Sequence, residues 1–272
     1  MTGIRQLLAA RLTWRRVVSV IVLVLSVAFL AYKAWDSWGT LRGYSWDLQA
    51  IYLLPSFGLF LLQFAVLTWG WQMIMDHLAP PVPFVDHLKI YGYTNIMRRI
   101  PAGLLWLLAG RVYAYKDRNV TTGVLALGSF LEMLLAILKG LPLAAVAAAR
   151  LGLLSLEAGL VLATLALALA LVAIHPVILG KLTRAVKHNE LRATLRYQDT
   201  LLWIVAYTLN WVISGTGLYL VGCLFVSLPA ETWPNVVGAW VLSTLLAYIT
   251  LFSPSGLGVK EVSLTVLLGL VL

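Results

Sequence analysis

Long apolar runs separated by short polar stretches set the pattern of this chain. The run Leu160 to Ile174 contains no charged residue. Comparable runs cover about 17–35, 50–75, 121–149, 155–179, 199–225 and 236–252. A helix crosses a bilayer with ~20 apolar residues, so these runs predict spanning helices. A transmembrane barrel would instead show alternating segments of about ten residues. The expected fold is all-α, a polytopic integral membrane protein with about six spanning helices in one domain, 1–272. Pro55 lies one turn inside the second run, where a kink is tolerable. Pro142 marks a place where the third run is expected to kink or break.

Two apolar segments are too short for that role. Ala102 to Gly110 is nine residues long, a rise of ~13.5 Å against a hydrocarbon core of ~30 Å. The last, Val262 to Leu272, has eleven residues. Both are expected to be re-entrant, broken or interfacial, within 98–115 and 254–272.

Composition excludes the usual soluble classes. Hydrophobic residues make up 61% and charged residues 11% of the 272, against about 45–50% and about 25% in soluble domains. A mean hydropathy of +0.90 rules out an ordinary soluble enzyme and a disordered chain. The net charge of +9 would point to nucleic acid in a soluble protein. In a membrane protein it marks cytoplasmic loops and anionic headgroups, and no nucleic-acid partner is expected. With the N-terminus inside, 15 of the 20 Lys and Arg residues fall on the cytoplasmic side. Arg5, Arg11, Arg15 and Arg16 precede Val17 to Ala34, which reads as a signal anchor. The expected location is a prokaryotic-type plasma (inner) membrane.

Cys223 is the only cysteine, which excludes an intrachain disulfide and a cysteine metal cluster. Asp76-His77 and Asp86-His87 read as loop-flanking residues rather than metal ligands. No cofactor or metal is expected, and convergent catalytic groups are lacking, so the chain is not expected to be an enzyme.

The two short segments begin alike, with Pro101-Ala102-Gly103-Leu104 and Pro254-Ser255-Gly256-Leu257. Paired Gly/Pro-interrupted segments point to transporter binding sites. A half-helix starting inside protein exposes unpaired N–H groups and a positive dipole end, which attract phosphate. Arg98, Arg99 and Arg111 flank the first start, and Lys260 the second. The plainer reading is two interfacial turns with cations reaching toward water.

These residues also resemble a known family. Ser253-Pro254-Ser255-Gly256-Leu257-Gly258-Val259-Lys260-Glu261 is similar to the P-G-G-L-G-V-R-E signature of the lysylphosphatidylglycerol synthase transmembrane-region, or flippase-like, family. That family includes the flippase part of the multiple peptide resistance factor. Arg98 to Gly103, then Trp106 and Gly110-Arg111, resemble its other signature, and Ser129 to Glu132 its S-x-x-x-E span. The likeness runs from about residue 90 to the end. Ser255 stands for a Gly, Lys260 for the usual Arg, and Pro101-Ala102-Gly103 spaces out the usual Pro-Gly. Lysine keeps the charge but not the bidentate geometry. Many relatives continue further, so a truncated chain and a short variant both stay open.

The resemblance implies lipid handling without synthesis, since the family's soluble aminoacyl-transfer domain has no counterpart here. The expected headgroup-binding residues are Arg98, Arg99, Gly103, Trp106, Arg111, Gly256, Gly258 and Lys260. Glu132 and Glu261 are expected as charge partners. Glu132 lies deep in an apolar span, where an unpaired carboxylate is costly, and Lys260 or Arg111 is its expected partner. Lys139, seven residues on, is too far to pair with Glu132 and is expected to reach an interface. Lys260 faces the headgroup, and Glu261 complements a helix N-terminus. Asn210 reads as an interhelical hydrogen-bonding residue and Ser214-Gly215-Thr216-Gly217 as a packing surface. His175, ahead of Pro176, reads as a span boundary.

The expected function is a lipid transporter that binds the phosphate of an anionic or aminoacylated phospholipid, or a related lipid. The alternative is an accessory subunit of a membrane complex. Partners would be a phospholipid or other lipid-phosphate, the bilayer, and a second copy or a membrane-complex subunit.

Overall fold

The structure, a computed structural model, describes residues 21, 24–44, 48–97, 103–186, 196–249 and 258–271. Arg98, Arg99 and Gly256 therefore lie outside the described residues, as do the side chains of 103–106. Every regular element among the described residues is helical. Helix α1 covers 24–36 of the described chain. It is followed by α2 (Trp38–Gly43), α3 (Leu53–Leu78), α4 (Phe84–Met97), α5 (Gly103–Ala114) and α6 (Thr122–Arg150). Then come α7 (Leu156–Ala173), α8 (Pro176–Val186), α9 (Tyr197–Phe225), α10 (Trp233–Ile249) and α11 (Val259–Leu268).

Among the described residues, four segments are long and apolar enough to cross a membrane: Ala50–Leu78, Thr122–Arg150, Leu156–Ala173 and Tyr197–Phe225. Their outer faces carry exposed leucine, valine and phenylalanine, such as Phe57, Leu165, Leu169 and Val205. Water would penalise apolar faces this extensive, and a bilayer would cover them.

The local sequence explains where helices start and stop. Thr121 and Ser155 cap α6 and α7, their hydroxyls accepting from the Val124 and Ala158 N–H groups at 3.4 and 3.2 Å. Each satisfies one donor that the first turn leaves unpaired. Pro55 falls in the first turn of α3 rather than a turn inside it, where its missing N–H has no intrahelical role. Pro142 does not break α6, which runs through it. The predicted run 155–179 divides instead at Ile174-His175, and Pro176 opens α8. Asp76-His77 and Asp86-His87 lie in helices α3 and α4, not in flanking loops.

α3 and α9 form an antiparallel pair along their whole lengths. Leu224 and Gln49 share a backbone hydrogen bond at one end. Gly217 and Leu59 are neighbours next, then Gly70 and Tyr207. His77 Nε2 and Asp199 Oδ2, 3.3 Å apart, close the other end. α10 runs antiparallel to α6 in the same way, with Gly238 against Ala147 and Gly140 against Leu245. Gly215 lets α9 approach α10 so closely that a Cβ on it would lie 2.9 Å from the Val237 Cα. The main core gathers Trp71, Tyr115, Leu125, Leu131, Trp203 and Tyr207. α4 and α5 lean on α3 and α6 at the end of the bundle that holds His77 and Asp199.

Candidate functional site: a buried ion pair and two cations on indole faces

α5 has twelve residues and α11 has ten, so they rise about 18 and 15 Å, roughly half a hydrocarbon core. Each carries a cation against a tryptophan of a neighbouring helix. The Arg111 guanidinium lies 3.7 Å from the centre of a Trp71 ring on α3. Lys260 Nζ lies 3.5 Å from that of Trp240 on α10. Both are within the reach of a cation–π attraction, which strengthens as water is excluded.

Arg111 is the more enclosed, with 1% exposure. Its Nη2 donates to Glu132 Oε2 at 2.7 Å, and its Nη1 donates to Ser129 Oγ at 2.7 Å. Ser129 passes its own proton to the Leu125 carbonyl at 2.7 Å, so its oxygen is available to accept from the arginine. Glu132 is completed by the Tyr91 hydroxyl, which donates to Oε1 at 2.6 Å. One carboxylate thus ties α4, α5 and α6 together. Spacing alone left Lys260 and Arg111 as possible partners, and the geometry pairs Glu132 with Arg111. In this conformation the guanidinium turns inward, and a headgroup has no surface by which to reach it.

A second polar group adjoins the first through Trp71. The Trp71 indole N–H donates to the Tyr115 hydroxyl at 2.9 Å, and Tyr115 Oη lies 2.6 Å from His87 Nδ1. Tyr115 accepts from the indole, so its own proton is directed to the imidazole. His87 Nδ1 is then the acceptor and Nε2 carries the hydrogen, with no partner among the described residues. Burial first, and then the Arg118 charge, bring the His87 pKa down to about 4 against the opposing pull of Asp86. Burial likewise pushes Tyr115 up to about 12. Both are neutral at pH 7. Arg118 itself pairs with Asp86 at 2.9 Å and lowers that carboxyl. No residue of this trio was singled out as functional from the sequence. The available signal was His87 and Trp71 on neighbouring helices.

Gly258 takes φ +87°, a conformation that suits glycine. Its N–H donates to Glu261 Oε2 at 2.7 Å, so Glu261 folds back over the start of α11. Lys260, one residue earlier, points toward Trp240 and stays partly exposed. Gly103 opens α5, as Gly258 precedes α11.

Two expectations are corrected. Lys139 reaches no interface: it is 4% exposed and its Nζ has no partner among the described residues. The Asn210 side-chain carbonyl is likewise buried and has no partner among the described residues, so it makes no hydrogen bond to another described helix. An open, mostly apolar depression of about 550 Å³ is lined by Leu108, Ala109, Val112, Tyr113, Lys116 and Thr122. The described residues contain no cluster of three metal-ligating side chains. No family model, no curated protein and no solved structure matches this chain.

Proposed function

We propose that this chain is a membrane lipid transporter of the flippase-like kind, binding the phosphate headgroup of an anionic or aminoacylated phospholipid. The observation that carries this reading is the pair of short helices, α5 and α11, each with a cation on an indole face. A short helix inside a membrane domain presents its dipole end to an anion, and at α11 the Glu261 carboxylate already takes the Gly258 N–H, leaving Lys260 as the charge for a headgroup. The indole holds the cation in place while leaving donors for phosphate oxygens.

In this reading Lys260 meets the headgroup, because it is partly exposed at the start of α11. Arg111 sets the position of α5 through Glu132 and Ser129. The depression beside α5 has an apolar lining that includes Lys116, which suits an acyl chain near a charged head. α1 and α10 complete about six spans around α3, α6, α7 and α9, and α5 and α11 enter without crossing. The N-terminus lies on the cytoplasmic side of a plasma membrane.

Native mass spectrometry of the full chain extracted from its own membrane tests the reading. Retained anionic phospholipid is the expected result. A stoichiometric protein partner with no retained lipid would replace it with the accessory-subunit reading.

A further inference from the structure

At one end of the α3–α9 pair, His77 Nε2 lies 3.3 Å from Asp199 Oδ2. The other ring nitrogen is engaged as well: His77 Nδ1 lies 2.9 Å from the Met73 carbonyl oxygen, one turn back on α3. A carbonyl oxygen and a carboxylate oxygen only accept. A neutral imidazole has a single N–H, so it serves one of these oxygens and turns a lone pair on the other. The imidazolium, with an N–H on each nitrogen, suits both at once.

The carboxylate has its own anchor. Asp199 Oδ2 accepts the Arg196 N–H at 3.0 Å and so caps the start of α9. Trp203, one turn further along α9, meets the imidazole in a T-shaped contact with ring centres 5.6 Å apart. Without the imidazole proton, Asp199 keeps its place on α9 but loses its tie to α3.

Other titratable groups lie on the elements packed at this end. Asp76, the residue before His77, interacts with it electrostatically. On α4, Asp86 pairs with Arg118 and His87 with Tyr115, while Lys89 is exposed. Glu132 of α6 is taken up by Arg111. Tyr248 of α10 packs on Trp211, about three turns along α9 from Asp199. Tyr197, in the first turn of α9, packs against His175. His87 stays neutral above about pH 4, so it adds nothing between pH 6 and 8.5.

We propose that His77 and Asp199 form a proton-dependent clasp between α3 and α9, closed while the imidazole is charged and released when it gives up its proton. Histidine is the side chain that exchanges a proton between about pH 5 and 8, so the clasp closes toward acid and opens toward alkali. Release frees the start of α9 from the end of α3, while the Arg111–Glu132 pair between α5 and α6 stays in place. The clasp needs no lipid and stands or falls apart from the transport reading.

The test uses the full chain in phosphatidylcholine nanodiscs between pH 6 and 8.5. Nitrogen NMR of isotope-labelled histidine reads the protonation of each ring nitrogen. The His77 signals are assigned by their loss in His77→Gln, or by elimination with Gln at the other three histidines. Both His77 nitrogens should carry hydrogen at pH 6 and only one at pH 8.5. Amide hydrogen exchange, corrected for its intrinsic pH dependence, reads the start of α9. The two side chains are 20% and 33% exposed, so the tie is a weak one and protection over 197–207 should fall about two- to fivefold across this range. His77→Gln should show no such fall, nor should Asp199→Asn, which keeps an acceptor for the cap. A His77 that holds one protonation state throughout overturns the clasp. A His77 that titrates while protection of α9 stays constant also overturns it. The same fall in both variants assigns the loosening to another group. If neither variant folds, the wild-type spectrum and exchange decide by the same criteria.

Discussion

Arg111 and Glu132 meet at 2.7 Å across the turn between α5 and α6, with their side chains 2% and 13% exposed. Removing one member of such a pair strands the other charge, at ~3–5 kcal/mol. Glu132→Gln alone should therefore destabilise the chain by about that much. Arg111→Met combined with Glu132→Gln should restore a good part of the loss, because no charge is then left alone. Denaturation of the two single variants and the double variant measures the coupling. The same cycle with Lys260→Gln should be additive, and coupling to Lys260 instead of Arg111 would contradict this arrangement.

His87 gives the Trp71–Tyr115–His87 cluster a pH dependence of known sign. Its pKa falls from 6.5 to about 4 on folding, so the unfolded chain binds the proton more readily. Stability from this group is fully present above about pH 6.5 and is lost as pH falls through about 4, by about 3 kcal/mol in total. His87→Gln keeps an acceptor for Tyr115 without titrating. Melting curves between pH 7 and 4.5 should show a smaller acid loss in this variant than in wild type. Equal losses would remove His87 as the cause.

Two glycines of α9 should respond oppositely to alanine. At Gly215 a Cβ would lie 2.9 Å from the Val237 backbone, whereas at Gly217 the nearest atom is 3.9 Å away. Gly215→Ala forces α9 and α10 apart and should cost ~1–3 kcal/mol. Gly217→Ala should be neutral or stabilising by up to ~1 kcal/mol, from helix propensity. Equal melting temperatures would show that the helices do not pack at this distance.

Lys260 and Trp240 should act as a unit in headgroup binding. A charge-assisted hydrogen bond contributes ~1.5–3 kcal/mol, so Lys260→Gln should weaken phosphatidylglycerol binding about tenfold or more. Trp240→Leu keeps the charge but removes the indole face beneath the lysine, and should show a smaller loss. Lipid titrations of both variants in phosphatidylcholine nanodiscs make the comparison.

Much of this architecture was legible in the sequence because membranes impose simple lengths. Apolar runs locate α3, α6, α7 and α9, and arithmetic on residue rise marks α5 and α11 as short. The cost of a buried carboxylate likewise points to Glu132 and to a cationic partner. What sequence spacing does not carry is the rotation of one helix against another. Arg111 and Glu132 come together because the turn after α5 brings α5 back along α6, and no period in the chain encodes that angle. Lys139 was misread for a different reason. It lies about three turns from the end of α6, too far for a lysine stem to reach an interface. The Trp71–Tyr115–His87 trio escaped because each member has an ordinary place in its own segment, and only the packing of α3 against α4 and α5 unites them.

Transbilayer movement tests the central claim most directly. The full chain is reconstituted into phosphatidylcholine vesicles containing a trace of fluorescent phosphatidylglycerol, and dithionite is added outside, with and without an imposed proton gradient. Transport predicts that the protected, inner-leaflet fluorescence falls below that of protein-free vesicles under at least one condition, and that Lys260→Gln restores it. Protected fluorescence equal to that of protein-free vesicles under both conditions would contradict the account.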